Sequence, residues 1–169
     1  MRRHIIAGIV ITLLTVVESS LLPLLLGAGL RPNLTLVVCA TWAALRGDEG
    51  FIWAIGGGLL LDLQSSAPFG THTAGLMIGN ALAATLDRAP IPVPILRTLN
   101  WVLITTVVYY VTSLIVLAFA GRTFDISIGF TAVVLPNLAA NLILTVPAHI
   151  VLNRLQMRLR EQERFLPER

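Results

Sequence analysis

The sequence predicts an all-α membrane protein, a bundle of six transmembrane helices, and three observations carry that expectation. Of its 169 residues, 56% are hydrophobic and only 12% charged, about half the charged fraction of an ordinary soluble domain. The apolar residues gather into six segments separated by charged or proline-bearing breaks. All twelve cations are arginines, and they sit at segment ends rather than along one face. A chain this small cannot hide so much apolar surface from water by folding on itself, so lipid is the expected solvent.

The segments fall at about 5–26, 33–45, 51–63, 74–86, 99–120 and 128–152, making residues 1–152 a transmembrane domain and 153–169 a basic tail. The first follows Arg2 and Arg3 and is interrupted only by Glu18, Ser19, Ser20 and Pro23, so it reads as a retained span rather than a cleaved signal. With the fifth and sixth it has the ~20 residues that a hydrocarbon core of ~30 Å requires. The middle three have ~13 each, reaching only ~20 Å at ~1.5 Å per residue. They must recruit uncharged flanks such as Gln64–Thr73, or sit where the bilayer is thin. Segments two and three do not read as a re-entrant hairpin, because the junction Arg46-Gly47-Asp48-Glu49-Gly50 would then carry charge to membrane depth. The proline-spaced stretch Arg88–Pro94 predicts a stiff, non-helical connector. The tail extends the last helix, with Leu155, Leu159 and Leu166 forming a weak apolar stripe. It serves either as a positive-inside stop or as a surface that lies on the membrane or docks a partner.

Orientation follows from the arginines. With both termini cytoplasmic, ten of them lie inside and only Arg31 and Arg122 outside, which favours an even number of spans. The formal charge of +3 and the pI near 10 are thereby read as topology signals, not as a nucleic-acid surface.

A search for chemistry finds no catalytic motif, and no catalytic, cofactor or metal residue is assigned. His4, His72 and His149 are far apart in sequence and read as interfacial, and the lone Cys39 as a small buried residue. The informative polar residues are those inside apolar segments, each of which needs a partner. Asn137 and Asn141, four apart, share a helical face; Glu18 lies at a depth comparable with Asn137, and a hydrogen bond between the two is expected. Asp62, at the outer end of the third segment, opposes the helix dipole and is expected to pair with Arg31 across adjacent helices. Gly75, Gly79 and Ala83 form a small-residue stripe, with Ala54 and Gly58 a second, and both predict close helix packing within the chain.

Between Arg31 and Gly75 the residues fall into an ordered pattern: Arg31-Pro32-Asn33, then Trp42, then Gly58-Leu59-Leu60-Leu61-Asp62, then Pro68-Phe69-Gly70. This resembles the MreD family of rod shape-determining membrane proteins, with its Pro-Asn or Pro-Asp opening, an aromatic ending that helix, and G-x-x-x-D-x-x-x-x-x-P-x-G. Glu18-Ser19-Ser20-Leu21-Leu22-Pro23 also resembles the family's first-span ending, where Gln is commoner than Glu18. The close resemblance covers about a quarter of the chain. It implies a six-helix fold similar to the substrate-binding subunits of energy-coupling-factor vitamin transporters and a location in the bacterial cytoplasmic (inner) membrane. It also implies a non-catalytic role in the elongation complex that organises lateral peptidoglycan synthesis. The implied partners are MreC and, through it, RodA with its penicillin-binding transpeptidase, with homo-oligomerisation left open. The alternative is a vitamin-binding transport subunit. The motor-docking A-x-x-x-A stripe of such subunits is absent from Ala7-Gly8-Ile9-Val10-Ile11.

Overall fold

A computed structural model describes residues 2–22, 24, 31–87, 91–121 and 129–165. The expectations attached to Pro23, Arg88, Pro90, Arg122 and residues 166–169, and to the side chains of Arg2, Arg3, His4, Arg160 and Arg164, lie outside that description. The described residues form helices and short connections, with no strand among them. We number the helices α1 (Arg2–Val16), α2 (Leu34–Arg46), α3 (Asp48–Gln64), α4 (Thr71–Leu86), α5 (Pro94–Phe119) and α6 (Leu135–Phe165). Two π-helical turns extend this set, Val17–Leu21 following α1 and Phe130–Val134 leading into α6.

Helix boundaries follow from local chemistry. Asn33 caps α2, its Oδ1 accepting from the Leu36 amide at 2.6 Å. Gly47, at φ +64°, ends α2 and admits α3 at the next residue, a left-handed step that suits glycine. The expected five-residue turn is therefore one residue long, with its charged members absorbed into helix ends. Beyond Gln64, Thr71 donates to the Pro68 carbonyl through both its amide and its hydroxyl, and Gly70 (φ +93°) opens α4. Pro94 starts α5 at the first helical turn, where a missing N–H costs nothing. Expected at ~13 residues, α3 and α4 have 17 and 16. The extra turns come from Asp48–Gly50 and Thr71–Thr73, where the Gly50 amide meets the Gly47 carbonyl, Thr71 meets Pro68, and His72 and Thr73 meet Asp62. The sixth segment and the tail form one helix through Pro147 to Phe165.

Successive helices run in alternating directions. Trp42 stacks on Trp53 (centroids 4.7 Å apart) between α2 and α3. Asn80 accepts from Trp101 Nε1 between α4 and α5, and Asn141 and His149 of α6 meet Thr106 and Thr98 of α5. By this alternation α2 and α6 are parallel, and their contacts keep that order: Asn141 faces Asn33 at one end, and Gln156 donates to the Leu45 carbonyl at the other. Helix α2 touches each of the other five and is buried along most of its length. Arg46, Arg97, Arg154 and Arg158 gather at one end of the bundle, while Arg31, Glu18 and Asp62 lie at the other.

Threonines and asparagines are buried beside an apolar core built on Leu36, Trp42, Leu76 and Val102, while the outside is aliphatic. The interior holds Thr15, Thr35, Asn80, Thr105, Thr106, Asn141 and Thr145, all at 0–1% exposure, while Leu13, Leu63, Ile143 and Val151 stand 61–72% exposed. Two stretches, Pro94–Phe119 and Phe130–Leu159, are long and apolar enough to cross a membrane.

The small-residue stripes face neighbouring helices of the same chain. A Cβ added at Gly75 would meet Tyr109 at 2.8 Å, one at Gly79 would meet Thr105 at 3.0 Å, and one at Gly58 would lie 2.5 Å from the Thr73 backbone. Ala83 is buried on the same face of α4. Gly56 has nothing within 4 Å. Gly58→Val should therefore destabilise the purified protein by about 1–3 kcal/mol, whereas Gly56→Ala should leave its thermal midpoint level or slightly raised.

Candidate functional site

The end of the bundle that holds Glu18 and Asp62 contains a cavity of about 410 Å³. Its construction starts with a problem of hydrogen bonding. The first amides of any α-helix lack intrahelical partners, and those of α2 are buried in the centre of the bundle, where an unmet donor costs about 1–3 kcal/mol.

Four side chains answer it. Asn137 accepts from the Arg31 amide at 2.7 Å, and Asn141 from the Asn33 amide at 2.9 Å. Glu18 Oε2 accepts from both the amide and the hydroxyl of Thr35, at 3.0 and 2.9 Å. Asn33 serves Leu36. Pro32 has no amide to satisfy. The opening Arg31-Pro32-Asn33 is thus a buried helix start held by α1 on one side and α6 on the other.

Asp62 repeats the device for α4. Its carboxylate accepts from the His72 amide at 2.8 Å, the Thr73 amide at 3.1 Å and the Thr73 hydroxyl at 2.6 Å. A carboxylate at the end of one helix here offsets the positive amino end of the next. Gly58, one turn earlier on α3, lets Thr73 approach, and Pro68 with Gly70 shapes the intervening turn. All four motif positions after Trp42 therefore serve one junction. Trp42 itself lies toward the opposite end, stacked on Trp53 beneath the Arg46 guanidinium.

Two expected contacts are not formed, for one reason. Glu18 does not bond Asn137, and Asp62 does not pair with Arg31; each acceptor instead takes backbone amides, which are fixed in place and have no alternative partner. The depth match between Glu18 and Asn137 is real, but the α2 amino end lies between them. Among the described residues the Arg31 side chain forms no ion pair. His149 also departs from expectation: it is 7% exposed, bonded to Thr98 inside the bundle, and not interfacial. Cys39 is buried, with its thiol donating to the Trp53 carbonyl.

Around the cavity stand Glu18, Arg31, Asn33, Gln64, His72, Tyr109, Tyr110 and Asn137, with Leu22, Leu61 and Val133 among the apolar walls. His72 Nδ1 is hydrogen-bonded to the Tyr109 hydroxyl, and Ser19 donates to Gln64 Oε1 at 2.6 Å. Sequence reasoning missed Thr35, Gln64 and the two tyrosines as neighbours of Glu18. The adjacent pair Tyr109-Tyr110 inside an otherwise aliphatic segment was the available signal. No three metal-ligating side chains gather among the described residues. The arrangement supplies one carboxylate, one guanidinium, amides and hydroxyls in a concave site, a set suited to holding a polar group.

Comparison with protein families, with characterised proteins and with solved structures found no match for this chain.

Glu18→Leu should strand the Thr35 donors and cost about 1–3 kcal/mol in thermal or denaturant unfolding. Ser20→Ala, at an exposed neighbour, should change stability by less than about 0.5 kcal/mol. Asp62→Ala should remove the α4 cap at about 0.5–2 kcal/mol, with Asp62→Asn recovering part of the loss.

Proposed function

We propose that this chain is a six-span subunit of the bacterial cytoplasmic membrane, similar to MreD, which performs no reaction itself and acts by holding partner proteins. The observation that carries the membrane reading is the aliphatic exterior. Leu13, Leu63, Ile143 and Val151 stand on the outside while threonines and asparagines are buried with the apolar core, an arrangement that suits hydrocarbon surroundings, where polar groups need internal partners. The bundle's alternating helices and the gathering of arginines at one end support a topology with both termini in the cytoplasm. Under that topology the cavity opens toward the outer face.

Support for the MreD-like role is of a different kind. Of the residues that carry the resemblance, Arg31, Pro32, Asn33, Gly58, Asp62, Pro68 and Gly70 serve the starts of α2 and α4 or the turn between α3 and α4, and Trp42 stacks on Trp53 toward the other end. They define a shape rather than a reacting group. A small bundle with short connections meets its partners through lateral helix faces and loops. In the MreD reading those partners are MreC and, through it, RodA and its transpeptidase.

Two measurements test the proposal. Single cysteines at Ser66 and Arg158, labelled with an impermeant maleimide on intact cells, should react at position 66 and react at 158 only after permeabilisation. The reverse pattern would overturn the topology. Tagged protein drawn from its native membrane in mild detergent should carry MreC; recovery of an ATP-driven motor instead would replace the role with that of a transport subunit.

A further inference from the structure

We propose that the cavity between the α2 and α4 amino ends is a binding site for a small zwitterion, which places an ammonium group on Glu18 and an anionic group on Arg31. The proposal does not depend on which proteins bind the bundle. Its first support is the pairing of opposite charges around a concave space. Glu18 and Arg31 both line the cavity, yet they are not paired with each other, and the Arg31 side chain has no ion-pair partner among the described residues. An anion alone would face the Glu18 carboxylate, and a cation alone would face the guanidinium. A molecule carrying both charges meets each with its complement.

The second support is unused hydrogen-bonding capacity. Both bonds from Thr35 fall on Glu18 Oε2, while a carboxylate offers about four lone-pair positions. Glu18 can therefore cap α2 and still accept from an ammonium group. The imidazole of His72 uses Nδ1 toward Tyr109, which leaves Nε2 as a further polar contact. Arg31 is held through its backbone amide by Asn137, and among the described residues its guanidinium forms no ion pair.

The third is backbone geometry. Both π turns among the described residues contribute to the wall, Val17–Leu21 through Glu18 and Ser19, and Phe130–Val134 through Val133. Such turns are rare and concentrate at functional sites. The volume of about 410 Å³ lies within the ~300–1,000 Å³ range of small-molecule sites. Two sources share this chemistry, a free amino-acid-like solute and the headgroup of a phosphatidylethanolamine lipid.

The test uses the full chain in nanodiscs of phosphatidylglycerol, with O-phosphoethanolamine as the soluble probe. A saturable rise in thermal midpoint is expected, larger than that produced by ethanolamine or inorganic phosphate alone. Arg31→Gln keeps the backbone amide and should unfold like the parent without ligand, but with apparent affinity about tenfold lower or worse, the loss of one charge-assisted contact. Ser66→Trp, at an exposed position on the rim, should block the response if Arg31→Gln cannot be purified. Native mass spectrometry from phosphatidylethanolamine discs assigns the source. Retained lipid that is lost in Arg31→Gln identifies a headgroup site, and a response to the soluble probe without retained lipid identifies a free solute. No response to either, or equal responses in parent and variants, would overturn the proposal.

Discussion

The structure depends on satisfying the amino end of α2. Helix α2 touches all five other helices, so its first amides meet protein side chains at the rim of the cavity rather than open solvent. Each would cost kilocalories if left alone. Supplying acceptors from Glu18, Asn137 and Asn141 fixes the π turn after α1 against one side of that end and the start of α6 against the other. Long-range order thus follows from a local deficit. Gln156 closes the opposite end of α2 through the Leu45 carbonyl, so α6 grips the central helix at both ends and its direction cannot reverse without losing both grips.

The same deficit is met at α4 by Asp62, and the two solutions lie side by side. Helix α3 brings Asp62 to the junction, and Ser19 and Gln64 join the α1 and α3 ends. Because backbone must approach backbone for these caps to form, the helices below need small residues, and Gly58, Gly75 and Gly79 supply them. The cavity is what remains between two capped helix starts that diverge toward Arg31 and His72. Its walls are held by bonds made for folding, which positions its polar groups before any ligand arrives.

Much of this was legible in the sequence, and the limits have a physical source. Apolar run lengths located all six helices, and the i, i+4 spacing placed Asn137 and Asn141 on one face, because both are properties of a single helix. The stripe of Gly75, Gly79 and Ala83 told of close packing, though not of Tyr109 and Thr105 as its counterparts. Pairing failed where it was argued from side-chain charge. Arg31 and Asp62 are on the same side, as expected, yet Asp62 turns to the His72 and Thr73 amides because those donors are rigid and have no other recourse. Helix ends were underestimated for a related reason: charged residues such as Asp48 and Glu49 break an apolar run without breaking a helix.

The separation of polar and apolar groups also constrains how such a bundle can be recognised. Its hydrogen-bonding groups are turned inward and are largely committed to one another, as with Asn80 and Trp101 or His149 and Thr98. What remains on the sides is Leu13, Leu63, Ile143 and Val151, and such surfaces discriminate by shape rather than by charge. Were the bundle in lipid, as proposed above, these sides would gain little from hydrophobic association, and a lateral partner would have to fit closely to compete with acyl chains. Charged groups gather at the two ends, where the arginine-rich rim also holds Glu49 and Asp87 in ion pairs and the cavity presents both signs. On the membrane reading proposed above, a partner that needs specificity as well as affinity would combine a fitted helix face with a contact at one end.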